Sequence, residues 1–369
     1  MIEAKFAKST NLNAQEAIKE VSAQINGDDL SVVMVFCTHE YDLVALGKAL
    51  EATFNAPIIG CTTMGELLGS DGYMQNSLVC ASIKSPDLKV SPIFIENLNE
   101  FAQTENPKEL NDLAKADKNK NFMMLLIDGL SAMEERVLSR ITETVKGVQL
   151  IGASAGDGLR MENTFVYFDG EFHRSAAVLA HFQTDLPFGF FHIHHFEPTD
   201  VRIVITAMNE ATRTVFEING LPAAEEYART LGVTVDGLTR ELYSANPLLL
   251  RVGGRYFARS IKTINPDGSI TFLCALDRGL VMTLGRTKAI IENLKNELAH
   301  IKATIPNLAF IFGSDCGLRR VEVSDLGLQQ EAKEAISGYP FIGFSTYGEQ
   351  LGGIHMNHTL IALAFGDKE

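Results

Sequence analysis

The stretch "FIGFSTYGEQLGG", residues 341–353, has a near copy almost three hundred residues earlier, "IIGCTTMGELLGS", residues 58–70. Laid without gaps, Ile59–Gly69 and Ile342–Gly352 agree at seven of eleven positions. A weaker third version, "QLIGASAGD", occupies residues 149–157. Each copy sits in the same context. An apolar run comes first: "SVVMVF" (31–36), "FMMLLID" (122–128) and "LAFIFGSD" (308–315). A stretch with apolar residues at helical spacing follows: "LVALGKALEATF", "AMEERVLSRITETV" and "LQQEAKEAIS". Then comes the Ile-Gly loop, and after it another apolar run: "NSLVCASI", "SAAVLAHF" and "NHTLIALAF". Run length and periodicity read as strand, helix, strand, loop, strand, three times over.

A helix between two strands carries the chain back across one sheet face, which favours parallel pairing of those strands. Nearly continuous apolar strands fit burial on both faces. The expected fold is therefore α/β, with repeated strand–helix–strand units in mostly parallel or mixed sheets. Loops leaving the C-terminal ends of such strands gather at one edge, where ligands usually bind. The duplicated loops are thus expected to converge on one cleft. Between the second and third units, about residues 186–300, the pattern changes. Asn265-Pro-Asp-Gly268 is a strong turn between β-prone runs. This region reads as a smaller, β-rich α+β module inserted before the last repeat. Linkers are expected at 97–120, polar and lysine-rich, and at 183–189.

The totals exclude several classes. The 369 residues carry 46 acidic and 32 basic side chains, a formal charge of −14. That balance repels phosphate backbones, and no Lys/Arg cluster offsets it, so nucleic-acid binding is not expected. No apolar run approaches the ~20 residues that span a bilayer, and MIEAKFAKST lacks the apolar stretch of a signal peptide. Five scattered cysteines without a CxxC suit reduced thiols in the cytoplasm.

The pieces "IGCTTMGE", "LIGASAGD", "EINGLPAAEEYA" and "GFSTYGEQLGGIHMNHTL" resemble the FIST family of bacterial sensory proteins. The resemblance implies a FIST N-like domain at 1–185, holding two α/β repeats. It implies a FIST C-like domain at 186–369, holding the β-rich module (about 186–300) and the third repeat (about 301–369). It further implies an intracellular small-molecule sensor that regulates a separate partner, such as a histidine kinase or a cyclic-di-GMP signalling protein. No such output domain is recognisable here. The runs "HHFEPTD" and "RSIKTINPDGSITFLCALDRGLV" look closest to a haem-binding, nitric-oxide-sensing branch. That branch implies non-covalent haem b, with His195 as axial ligand and His194 as the second choice. One neutral imidazole suffices for five-coordinate haem and leaves a site for a gas. Phe188, Phe190, Phe191 and Phe196 would suit a porphyrin face. Against this, histidines and phenylalanines in a strand commonly just pack. His192 and His194 lack a clear third ligand for zinc.

A version without haem uses the loops themselves. Gly65 and Gly348 allow tight turns and close approach of a ligand. Thr62, Ser154, Ser345, Thr346 and Tyr347 supply hydroxyls, and Glu66 and Glu349 accept when ionised. With Cys61 and His355 these residues form the candidate site for an amino acid or similar polar metabolite. His358 is placed to line the same cleft. The plainer alternative is that Gly-Glu closes a turn and the carboxylate satisfies N–H groups of its own loop. Asp128, Asp157 and Asp315 end strands or enter loops, where they could bind a ligand, although capping the next helix is the simpler role. A Cys61-dependent hydrolase is the competing enzyme reading, but no G-x-S-x-G elbow or P-loop is present, and a buried apolar thiol is the ordinary role for such a cysteine. A pure interaction protein is a third class. The sequence is compatible with an oligomer. No catalytic turnover is expected.

Overall fold

The computed structural model describes residues 1–101, 103–104 and 107–368. It divides into two compact units. The first comprises Met1–Ile193, Leu294–His355 and Leu360–Glu369, and the second His194–Asn293 and Met356–Thr359.

The first unit holds three repeats. Repeat one runs β1 (Glu3–Ser9), α1 (Ala14–Ile25), β2 (Val32–Cys37), α2 (Leu43–Thr53), β3 (Ile58–Thr62), the hairpin β4 (Glu66–Leu68) and β5 (Gly72–Met74), then β6 (Leu78–Lys84). Repeat two runs β7 (Leu88–Ile95), short helices α3 (Leu98–Phe101) and α4 (Lys108–Leu113), β8 (Asn121–Ile127), α5 (Glu134–Thr144), β9 (Gln149–Ser154), the hairpin β10 (Val166–Phe168) and β11 (Glu171–His173), then β12 (Ala177–Thr184). The expected linker at 97–120 instead carries α3 and α4, whose Leu98, Phe101, Leu110 and Leu113 join the core beside α5; its residues 102, 105 and 106 lie outside the described residues. Repeat three opens with β13 (Phe188–Ile193).

The second unit follows. Its strands are β14 (Phe196–Asn209), β15 (Thr214–Ile218), β16 (Leu221–Pro222), β17 (Leu248–Val252), β18 (Arg255–Arg259), β19 (Ile261–Ile264), β20 (Ile270–Phe272) and β21 (Val281–Thr287), with helices α6 (Ala223–Leu231) and α7 (Arg240–Ala245). They form one eight-stranded antiparallel sheet in the order β18-β17-β21-β14-β15-β20-β19, with β16 beside β15. Asn219-Gly220 takes left-handed φ values of 54° and 78° at the β15–β16 turn, as an Asn-Gly hairpin requires. Ile203, Ile205, Tyr227, Phe272 and Met282 form this unit's core.

Helix α8 (Ile290–Thr304) leads back to repeat three, which resumes with β22 (Leu308–Cys316), α9 (Gly317–Asp325), α10 (Gln329–Ile336), β23 (Phe341–Thr346), the hairpin β24 (Glu349–Leu351) and β25 (Ile354–Met356), and β26 (Leu360–Gly366).

Each repeat forms one sheet with a single parallel pair at its centre: β2–β3, β8–β9 and β22–β23. The returning strands β6, β12 and β26 pair antiparallel to the first strand, and β1, β7 and β13 form the outer edge. The other edge is borrowed. Hairpin β4–β5 of repeat one completes the sheet of repeat three. Hairpin β24–β25 of repeat three completes that of repeat two, and β10–β11 of repeat two completes that of repeat one. The exchange is cyclic, so every sheet needs two repeats. The result is a mixed α/β fold.

Alternation along the central strands sorts two cores. Val33, Val35 and Cys37 of β2 face α1 and α2, and Met123, Leu125 and Ile127 of β8 face α5. The alternate residues point to the other face of each sheet. There phenylalanines bridge sheet to sheet: Phe36 lies 4.6 Å from Phe344, Phe122 5.8 Å from Phe365, and Phe94 4.7 Å from Phe168.

Candidate functional site

The Ile-Gly signature has a packing cause. A Cβ on Gly60 would lie 2.3 Å from the carbonyl oxygen of Val35. On Gly152 it would lie 2.8 Å from that of Leu125, and on Gly343 1.9 Å from that of Gly313. Only glycine lets the second strand approach the first so closely. Immediately after this pair the loops of the three repeats bond to one another. Thr62 N–H donates to the Phe165 carbonyl at 2.9 Å, Ser154 N–H to Gly348 at 2.9 Å and Ser345 N–H to Gly65 at 2.7 Å. These are the same bond made three times.

Register fixes which residues correspond. Glu66 lies opposite Phe344, Glu349 opposite Ala153 and Val166 opposite Cys61. Phe344, Ala153 and Cys61 each follow an Ile-Gly pair. Glu66, Glu349 and Val166 therefore hold the same place in three junctions. The loops meet, but the two glutamates enter different sheets. Asp157 is not the third member of that set. It accepts N–H groups of Met161, Glu162 and Asn163, closing the longer second loop, and it accepts the Tyr347 hydroxyl. Burial works against its ionised form, but these four donors outweigh it and hold its carboxyl below the usual range.

The junction of the first loop with repeat three is the richest in charge. Glu66 is fully buried and accepts the Thr63 and Ser77 hydroxyls. Burial pushes its carboxyl up to about 7, although those two hydroxyls and the nearby Arg320 oppose the shift. Arg320, only 9% exposed, stacks over the Tyr73 ring at 5.3 Å and donates to the Met74 carbonyl at 2.7 Å. Its Nη1 lies 3.5 Å from Ser345 Oγ, at the limit of a hydrogen bond. Gly65, at φ 146°, makes room for it: a Cβ there would fall 2.4 Å from Nη1. Behind it, Asp315 accepts Arg319 Nε at 2.7 Å and the Tyr73 hydroxyl. Burial and Asp315 together push the Tyr73 phenol up. Cys37 and Ile127 occupy the place of Asp315 in the other repeats, as their register opposite Thr62, Ser154 and Ser345 shows.

At the junction of the third loop with repeat two, Thr346 Oγ1 donates to the Ser154 carbonyl at 2.6 Å, and Gln350 Nε2 donates to Ser154 Oγ at 2.9 Å. His355 Nδ1 lies 3.0 Å from Glu135 Oε1, and its ring rests on Gly348, where a Cβ would fall 2.1 Å from Nε2. Cys61 is fully buried, and burial pushes its thiol well up.

His194, His195 and His358 belong to the second unit. His195 is 0% exposed, with Phe196 at 4.5 Å and His358 at 5.4 Å. A ring opening onto a haem slot would be reachable by water, and this one is not. Phe188 and Phe190 pack on Phe122 in the first unit at 4.9 and 5.2 Å. The residues around His195, as folded, do not fit a porphyrin.

Sequence reasoning missed Arg319, Arg320, Tyr73 and Ser77, and preferred capping over ligand binding for Asp315. The available signal was "DCGLRR" directly after a strand: two adjacent arginines where the other repeats have none.

The FIST N domain matches residues 31–221, and the FIST C domain matches residues 223–351. An uncharacterized protein of Methanocaldococcus jannaschii is 21% identical over 322 residues, which cover 80% of this chain and 60% of that protein. The chain thus spans about 60% of the length of that curated relative. Among solved structures, the cyanuric acid hydrolase of A. caulinodans shows 8% identity and a TM-score of 0.29, over 50% of this chain and 71% of that one. A likeness that slight carries no functional argument.

Proposed function

The chain belongs to the FIST family of sensory, ligand-binding signal-transduction domains, and on that premise we propose that it binds a small polar metabolite at the junction of its first and third repeats. One observation carries this reading. The junction of the first loop with repeat three groups Glu66, Asp315, Arg319 and Arg320, whereas the place of Asp315 is held by Cys37 and Ile127 in the other repeats and that of Glu66 by Val166 and the buried Glu349. At the Asp315 position the fold is built twice without a carboxylate, and at the Glu66 position once. Buried charge is costly and weak evidence for stability, so its concentration at one junction points to use.

The site binds without turnover, and the buried, proton-retaining Cys61 thiol supports that. Ligand shifts the balance between two arrangements of the loops because it binds one more tightly. The output passes to a separate histidine kinase or cyclic-di-GMP protein. No described helix is long and apolar enough to cross a membrane. A thermal-shift screen of amino acids and small organic acids tests the reading. A hit that raises Tm in the wild type and fails in Glu66→Gln and Ser345→Ala supports it; hits indifferent to both variants overturn it.

Haem-based sensing would need His195 to turn out of its packing. Titration of the protein with haem decides this. A Soret band lost in His195→Ala would establish the haem reading in place of the metabolite one.

A further inference from the structure

Arg320 is about nine-tenths buried, yet among the described residues no carboxylate lies within ion-pairing distance of it. Asp315 is taken by Arg319 and Tyr73. Glu66 is taken by two hydroxyls. Arginine is rarely buried without a counter-ion, because an uncompensated charge loses its hydration for nothing in return. Burial accordingly pulls the Arg320 guanidinium below its usual range. Two sources of negative charge can compensate it: ionised Glu66, or an anion from outside.

We propose that Arg320 anchors a small carboxylate ligand, and that Glu66 takes up a proton as that ligand binds. The inference rests on the metabolite-site reading and deepens it. The Gly65 backbone packs on the guanidinium, where a Cβ would fall 2.4 Å from Nη1, and the Ser345 hydroxyl lies beside Nη1 at 3.5 Å. Beyond its bond to Met74, Arg320 keeps its remaining N–H groups, enough for a bidentate carboxylate. The bound negative charge then opposes ionisation of Glu66, which favours its neutral form. The titratable groups Cys37 and Cys61, from β2 and β3, and Tyr41 are held neutral by burial and add no charge beside Glu66. Arg319 and Asp315 compensate each other.

Calorimetric titration of the whole chain with formate, which stays ionised from pH 6 to 8, tests this against chloride at equal ionic strength. Wild type is expected to bind formate up to tenfold more tightly at pH 6 than at pH 8. Arg320→Gln should weaken binding at least tenfold; Arg320→Lys, which keeps the charge, should retain part of it and guards against misfolding. Glu66→Gln should bind with no pH slope. Formate binding unchanged in Arg320→Gln overturns the anchor, and a wild-type pH slope in Glu66→Gln overturns the linkage. If a metabolite found by thermal shift depends on Glu66 and Ser345 while formate binding ignores Arg320, the metabolite site stands and this inference falls.

Discussion

Glu66→Gln isolates one buried proton. The carboxyl is raised from 4.5 to about 7, chiefly by burial. The folded state therefore holds this proton more tightly than the unfolded state does. Its stabilising effect is fully present below pH 4.5 and is lost as pH rises to about 7. One unit of pKa difference is worth about 1.4 kcal/mol, so a shift of this size amounts to about 3 kcal/mol between those limits. Glutamine keeps an acceptor for one of the Thr63 and Ser77 hydroxyls and offers its amide N–H to the other, but does not titrate. Urea unfolding of both proteins, at steps from pH 4.5 to 8, gives the difference in stability, and all other titrating groups cancel. Wild type should lose about 3 kcal/mol relative to the variant across that range, with the change flattening above pH 7. A difference that stays constant to within about 0.5 kcal/mol would mean that Glu66 ionises like a surface carboxyl, and the account of the junction would fail.

Three further outcomes follow from the geometry. Gly343→Ala places a Cβ 1.9 Å from the Gly313 carbonyl and should cost at least about 3 kcal/mol in denaturant unfolding, because the parallel pair cannot close. Asp315→Ala leaves Arg319 buried without its partner and should destabilise by roughly 3–5 kcal/mol, a loss that Asp315→Ala combined with Arg319→Met should partly recover. Tyr347→Phe removes a donor to Asp157. It should cost about 1–3 kcal/mol at pH 7. Because Asp157 is depressed, that cost should shrink as acid protonates it, which a comparison of Tm at pH 7 and pH 3 would read.

The repeat was legible because its causes are local. Alternation and run length mark β2, β8 and β22, and helical spacing marks α2, α5 and α10. The Ile-Gly pair survives in all three copies because a carbonyl oxygen of the neighbouring strand occupies the space of a Cβ. The Asn219-Gly220 and Asn265–Gly268 turns were likewise written in residue types that tolerate positive φ. The loops' importance was visible in their duplication, though not the partners they would meet.

Tertiary structure alone decided where each hairpin goes. Backbone N–H and C=O groups are the same in every residue, so nothing in "ELLGSDGYM" states that β4 pairs with β23 rather than closing its own sheet. That exchange set Glu66 into the sheet of repeat three, within reach of Arg320, and set Glu349 into the sheet of repeat two. It also seated Tyr73 against Asp315, 242 residues away along the chain. Sequence determined the three units and their shared loop, because propensity and sterics act over a few residues. The charged junction arises only when distant segments are brought together, since burial and hydrogen bonding depend on neighbours in space.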